Sequence, residues 1–134
     1  MSIATTKNRI ALIYWIYLIA ASVMEITWLY SLKYIDKDKI MAINWREFFS
    51  SSTPLMTLLP VVGYIVFGIA NVILISMAMK GIPASTAFGI WMGLALVGSK
   101  LIDVWFFEEP YTYQQIFFMA LILIGIIGLK TGEG

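Results

Sequence analysis

The chain has no cysteine and no histidine. The first absence excludes disulfides and thiolate metal sites. The second removes imidazole acid–base chemistry and histidine metal ligation. Charge is also scarce, with 13% of residues being Asp, Glu, Lys or Arg, against roughly 25% in a soluble domain. Those charges nearly cancel, leaving a formal net charge of +1, so an electrostatic attraction to nucleic acid is not indicated. No nucleophile–base pair and no metal set stands out, which argues against an enzyme and gives no reason to expect a cofactor. What the chain has in abundance is apolar surface. Hydrophobic residues fill 60% of its 134 positions. That is more than one soluble core of this size could bury, so a bilayer is expected as the solvent for much of the surface. The segment Met1 to Arg9 is not expected to be a cleavable signal, because the apolar run behind it is too long and no small-residue cleavage site follows.

Four apolar stretches, residues 10–34, 60–79, 83–107 and 111–129, each meet the roughly 20-residue length needed to span a bilayer as a helix. The expected fold class is an all-α membrane protein, with a single transmembrane domain covering residues 1–134. Pro60, Pro83 and Pro110 stand at the expected helix entrances, where a missing N–H costs little. The short links Lys80–Ile82 and Glu108–Pro110 predict antiparallel neighbours, and four spans put both termini on one side. Lys7, Arg9, Lys80 and Lys130 fall on that side. Lys33, Lys37, Lys39 and Arg46 fall on the other, with Lys100 inside the third helix. With four against four, the positive-inside rule favours neither orientation. Either the chain inserts both ways, or a partner or the translocon decides. In the long first loop, residues 35–59, the helical spacing of Met41, Trp45, Phe48 and Phe49 predicts an amphipathic helix in the membrane interface. The alternative is a loop whose aromatics touch headgroups.

Glu25 is the only charged residue between Ile10 and Tyr30. An acid at the centre of a membrane helix costs roughly 2.5–3.5 kcal/mol on insertion scales, so such residues mark sites of function. Helical spacing puts Ala21, Ser22, Trp28 and Leu29 on the face of Glu25. A carboxylate beside a flat aromatic wall suits an organic cation. The same group can hold a proton and release it when a cation arrives, which is antiport in its smallest form. The alternative is a protonated Glu that hydrogen-bonds a neighbouring helix for packing. Asn71, the one strongly polar side chain in the second stretch, either bonds another helix or touches Glu25. Phe88 and Trp91 could add aromatic walls. Gly89, Gly93, Ala95 and Gly98 make the third stretch easy to pack and bend. Lys100 and Asp103, three apart, could form a structural ion pair or serve transport, and Lys100 could instead snorkel to the helix end. One carboxylate in four short helices cannot enclose a path, so a dimer is expected. Leu121, Ile122, Gly125 and Gly128 on the last stretch offer a close-approach face, unless those glycines pack inside one protomer.

These residues resemble the small multidrug resistance family of proton-coupled exporters. The most specific part is Met24-Glu25-Ile26-Thr27-Trp28 followed by Leu32-Lys33-Tyr34, which is similar to the guanidinium-exporter branch. Further matches are Ala78-Met79-Lys80-Gly81-Ile82-Pro83, Thr86-Ala87-Phe88-Gly89-Ile90-Trp91 and Gly125-Ile126-Ile127-Gly128-Leu129-Lys130. The resemblance implies a multi-pass protein of the inner (cell) membrane with dual topology, assembled as an antiparallel homodimer or as a heterodimer with a related subunit. It implies Glu25 as the shared proton and substrate group, Trp28 and Trp91 as pocket walls, and Leu121, Ile122 and Gly125 in the dimer motif. The chain departs from the branch at Asn71, where a serine is usual, at Phe88, where a tyrosine is usual, and at Ala95, where a glycine is usual. Lys100, Asp103 and the long first loop are unusual too. The expected function is export of guanidinium or small guanidinium-like cations in exchange for protons. Alternatives are export of quaternary ammonium compounds, or a subunit inactive without a related chain.

Overall fold

The structure, a computed structural model, describes residues 2–132. Five α-helices follow one another: α1 Ile3–Lys33, α2 Lys37–Met41, α3 Thr53–Ala78, α4 Ala84–Phe106 and α5 Tyr113–Gly132. A 3₁₀ turn, Trp45–Glu47, lies between α2 and α3. Four of them (α1, α3, α4 and α5) are long and apolar enough to cross a membrane.

The first two spans start earlier than the apolar pattern alone indicates. Ser2 caps α1 by accepting from the Thr5 N–H, so the polar residues Thr5 to Arg9 are drawn into the helix. At 1.5 Å per residue, 31 residues make a rod of roughly 46 Å, longer than the roughly 30 Å hydrocarbon core. Pro60 does not mark the entrance of α3. It lies inside the helix, and Pro54 in the first turn takes the entrance role, where no donor is missed.

The first loop does not form one amphipathic helix. Asp36 opens α2 by accepting from the N–H groups of Asp38 and Lys39, at 3.1 and 3.2 Å. Asn44 opens the 3₁₀ turn in the same way, through Arg46 N–H. Two caps eight positions apart break the helix that the apolar spacing favours, because each asks for a non-helical backbone at its own position. Trp45 stacks on Phe48, and Phe49 is left 98% exposed. The Lys39 N–H, and then the Lys39 ammonium at 3.5 Å, hold the Asp36 carboxyl below its ordinary value. The cap is therefore intact at neutral pH and lost only as pH falls below the free-carboxyl value of about 3.9.

The core is small and made of small parts. Leu18, Ala21, Ile75, Ala78, Ile82, Ala87 and Ile90 are buried together where α1 meets α3 and α4. Alanines at three of these places let backbones approach. Only residues 79–83 join α3 to α4, yet those two helices barely touch. Helix α1 lies against both instead. Among the described residues, α5 packs mainly on α4, touches α1 where the Lys130 ammonium lies 5.4 Å from the Trp15 ring centroid, and has no buried residue. Its contact is close at Gly93, where an added Cβ would stand 2.7 Å from Ile126 Cδ1.

Candidate functional site

The three elements that meet around the core bring one polar side chain each to the same place. Glu25 comes from α1, Asn71 from α3 and Trp91 from α4. The indole N–H of Trp91 donates to Asn71 Oδ1 at 3.1 Å, and Asn71 Nδ2 donates to Glu25 Oε2. The direction of this chain is fixed by chemistry. An indole N–H only donates, so it must meet the amide oxygen, and the amide NH₂ is then turned toward the carboxyl. Asn71 is 5% exposed, so it has no water to compete for these bonds and holds Glu25 in one place.

Glu25 opens onto a cleft of about 610 Å³ between α1 and α3. Trp28, Tyr64, Asn71 and Trp91 share its wall. Trp28 and Tyr64 lie 5.3 Å apart, tilted by 33°. Trp28 is seated against Gly68, where an added Cβ would stand 3.1 Å from the indole, so a side chain at 68 would push this wall outward. Among the described residues, no Lys or Arg lines the cleft. A half-buried carboxylate with aromatic faces and no internal cation suits a small organic cation, which can bond to the acid in its own plane and stack on a ring.

Several expected site residues lie elsewhere. Ser22 is buried, and its hydroxyl donates back to the Leu18 carbonyl at 3.0 Å, so it is not part of the cleft wall. Phe88 is 55% exposed and meets Trp91 edge-on at 5.7 Å, and it is not part of the cleft wall. Lys100 and Asp103 are not ion-paired. Among the described residues the one ion pair is Lys39–Asp36. Lys100 Nζ reaches the Pro110 carbonyl at 3.4 Å, toward the helix end, while Asp103 Oδ1 accepts from the Tyr30 hydroxyl at 2.8 Å. Each is engaged by a polar partner other than the opposite charge.

The face expected on α5 divides. Leu121 is 46% exposed, and a Cβ at Gly125 or Gly128 would meet nothing within 4 Å. Ile122 instead points at Gly93 of α4, inside the protomer. Adjacent residues on a helix stand roughly 100° apart, so both cannot share the open face. Tyr64 and Gly68 are site residues that the sequence pattern did not single out. Their signal was there: Tyr64, Gly68 and Asn71 fall at i, i+4 and i+7 on one stripe of α3.

The sequence is similar to known proteins along most of its length. The Small Multidrug Resistance protein family profile matches residues 13–122. A probable guanidinium efflux system subunit GdnD of Bacillus licheniformis is 34% identical over 116 residues, covering 87% of this chain and 95% of that one. A guanidinium exporter of Yersinia pseudotuberculosis matches with the same identity and coverage. One from Escherichia coli is 32% identical over 116 residues, covering 87% and 94%. With four apolar spans, one acid poised on an aromatic cleft and this match along most of its length, the chain belongs to the small multidrug resistance family, whose members are membrane transporters and not enzymes.

Proposed function

We propose that this protein exports guanidinium or small guanidinium-like cations across the inner (cell) membrane in exchange for protons, with Glu25 as the group both ligands compete for. The observation that carries the reading is the Trp91–Asn71–Glu25 chain. It presents a positioned carboxylate to a cleft walled by Trp28 and Tyr64. A planar guanidinium matches a carboxylate through paired N–H donors and stacks on an indole face. When a proton takes the carboxylate instead, the attraction for the cation is lost, so one group couples the two. The curated relatives named as guanidinium exporters support the choice of cation.

The cleft is open along α3, and α5 presents Leu121, Gly125 and Gly128 unpacked. We therefore place a second copy, or a related chain, against α5, so that two clefts close on one path. A subunit that works only beside a related chain is the second reading. It is favoured by the similarity to a protein named as an efflux system subunit.

Guanidinium-evoked currents on supported membranes carrying the purified chain test both readings. Currents that weaken at lower pH and vanish in Glu25→Gln are expected. Currents only after coexpression with a related chain would select the subunit reading. Currents with tetra-alkylammonium ions and none with guanidinium would replace the substrate class.

A further inference from the structure

The membrane-spanning helices carry a second carboxylate, Asp103 on α4, and its surroundings repeat the chemistry of the first with one addition. Tyr30 Oη lies 2.8 Å from Asp103 Oδ1 and 2.8 Å from the Ser99 carbonyl oxygen, so its single proton serves both. The Tyr30 ring stacks on Phe107 at 5.6 Å with 15° between the planes, and Tyr34 tilts against Phe107 at 6.4 Å. Above these rings sits an ammonium. Lys33 Nζ is 3.8 Å from the Phe107 centroid and 5.9 Å from that of Tyr30. Beside it lies a recess of about 300 Å³ whose wall includes Tyr30, Lys33 and Asp103. The carboxylate itself is not ion-paired, because Lys33 rests on the rings and Lys100 turns to Pro110.

Aromatic faces beside a carboxylate recognise ammonium and guanidinium ions. Here the rings already hold a cation of that class, tethered by its own side chain, while the acid beside them is free to take another. We propose that this recess is a second organic-cation site, for guanidinium or a primary ammonium ion, in which the exposed Lys33 ammonium is the resident and the ligand enters over Asp103 as Lys33 swings out. It is distinct from the Glu25 cleft. Tyr30 is five residues past Glu25, roughly 7.5 Å along α1 and roughly 140° around it. Lys33 belongs to the last turn of α1 and Asp103 to the end of α4, so the ligand can come from water or be the ammonium of a lipid headgroup at that depth. The choice of guanidinium as probe rests on the export reading, but binding here is measured with Glu25 removed, so the two fail separately.

The test is equilibrium dialysis of labelled guanidinium against the full chain in phosphatidylglycerol nanodiscs, in a Glu25→Gln background. One saturable site should remain. Lys33→Gln should tighten it by about threefold to fivefold, the worth of one displaced cation–π contact. Asp103→Asn, which keeps an acceptor for Tyr30, should weaken it by about tenfold or more. Asp103→Glu should stay within about threefold of the parent, because it keeps the charge. Binding that persists when phosphatidylethanolamine is added to the discs assigns the site to a free cation. Binding that disappears there and stays in phosphatidylglycerol assigns it to a lipid ammonium. No saturable binding in phosphatidylglycerol, or equal losses in Asp103→Asn and Asp103→Glu, overturns the proposal. Loss or survival of transport in Glu25→Gln bears on the export reading alone.

Discussion

Glu25 and Asp103 are both acids on apolar helices, and each is met by a hydrogen-bond donor from another helix. Their settings otherwise diverge. The donor to Glu25 is an amide pinned from behind by Trp91, and the space in front of the acid holds rings and no cation. The donor to Asp103 is a hydroxyl that divides its proton with a backbone carbonyl, and a lysine lies across the neighbouring rings. Glu25 is therefore rigid and waiting. Asp103 is looser and attended by a cation of the protein's own. The same two ingredients, a carboxylate and aromatic faces, give a site for an outside cation in one place and a tenanted recess in the other. What separates them is whether a long basic side chain can reach the rings.

The largest expected effect comes from removing the charge that defines the first member of this pair. Glu25→Gln should weaken guanidinium binding in the cleft by about 100-fold, roughly 3 kcal/mol, the upper end for a bond to a charged group. Its thermal unfolding should be little changed, since an amide of the same shape replaces the acid. Isothermal titration beside a melting curve checks both. A collapse in stability with no change in affinity would make Glu25 a packing residue and erase the contrast with Asp103.

Asn71→Ala comes next. It removes the donor to Glu25 and strands the Trp91 N–H in a dry place, which costs about 1–3 kcal/mol. Cation affinity should fall about tenfold, while Asn71→Ser should restore part of it. Equal affinities in the two variants would show that the amide serves packing and that Glu25 needs no positioning.

Gly125→Leu should be felt at Glu25 and not at Asp103. Nothing within the protomer stands near this position, so the chain should fold, and association should weaken about tenfold in crosslinking titrations because the backbones can no longer approach. Guanidinium currents should fall with it. Association that survives the bulky side chain would place the partner on another helix.

The smallest expected effect is at the foot of α4. Glu108 has φ 54°, and the next N–H, that of Glu109, bonds the Asp103 carbonyl at 3.0 Å. A side chain in that left-handed conformation costs about 1–2 kcal/mol, so Glu108→Gly should raise stability by about 1 kcal/mol in a denaturant titration. Destabilisation instead would mean that the glutamate side chain has a task beyond making the turn.

The sequence made Glu25 and Asn71 visible because each is a polar exception in an apolar run, and such exceptions are costly in lipid. Trp28 and Trp91 followed from helical spacing and from the family pattern. Tyr64 and Gly68 did not stand out, since rings and glycines are common in membrane helices and gain meaning only beside Trp28. The partner of Asp103 was hidden for a geometric reason. Spacing rules relate residues on one helix, and so pointed to Lys100, whereas Tyr30 reaches Asp103 from 73 positions away. The first loop departs from its apolar spacing because that spacing carries no information about caps, and Asp36 and Asn44 each start a new segment there. Boundaries suffered likewise, with Ser2 and Pro54 extending helices past their apolar cores.

Helix α5, held mainly by α4 and burying nothing of its own, has a consequence for how the protein is made. The ribosome delivers α1, α3 and α4 before it, and their shared core needs no residue of α5 except Ile126 at its margin. The core of that trio can therefore close before α5 has found its place. Helix α5 can thus seat on a body whose core is already closed, with Leu121, Gly125 and Gly128 still open to a companion.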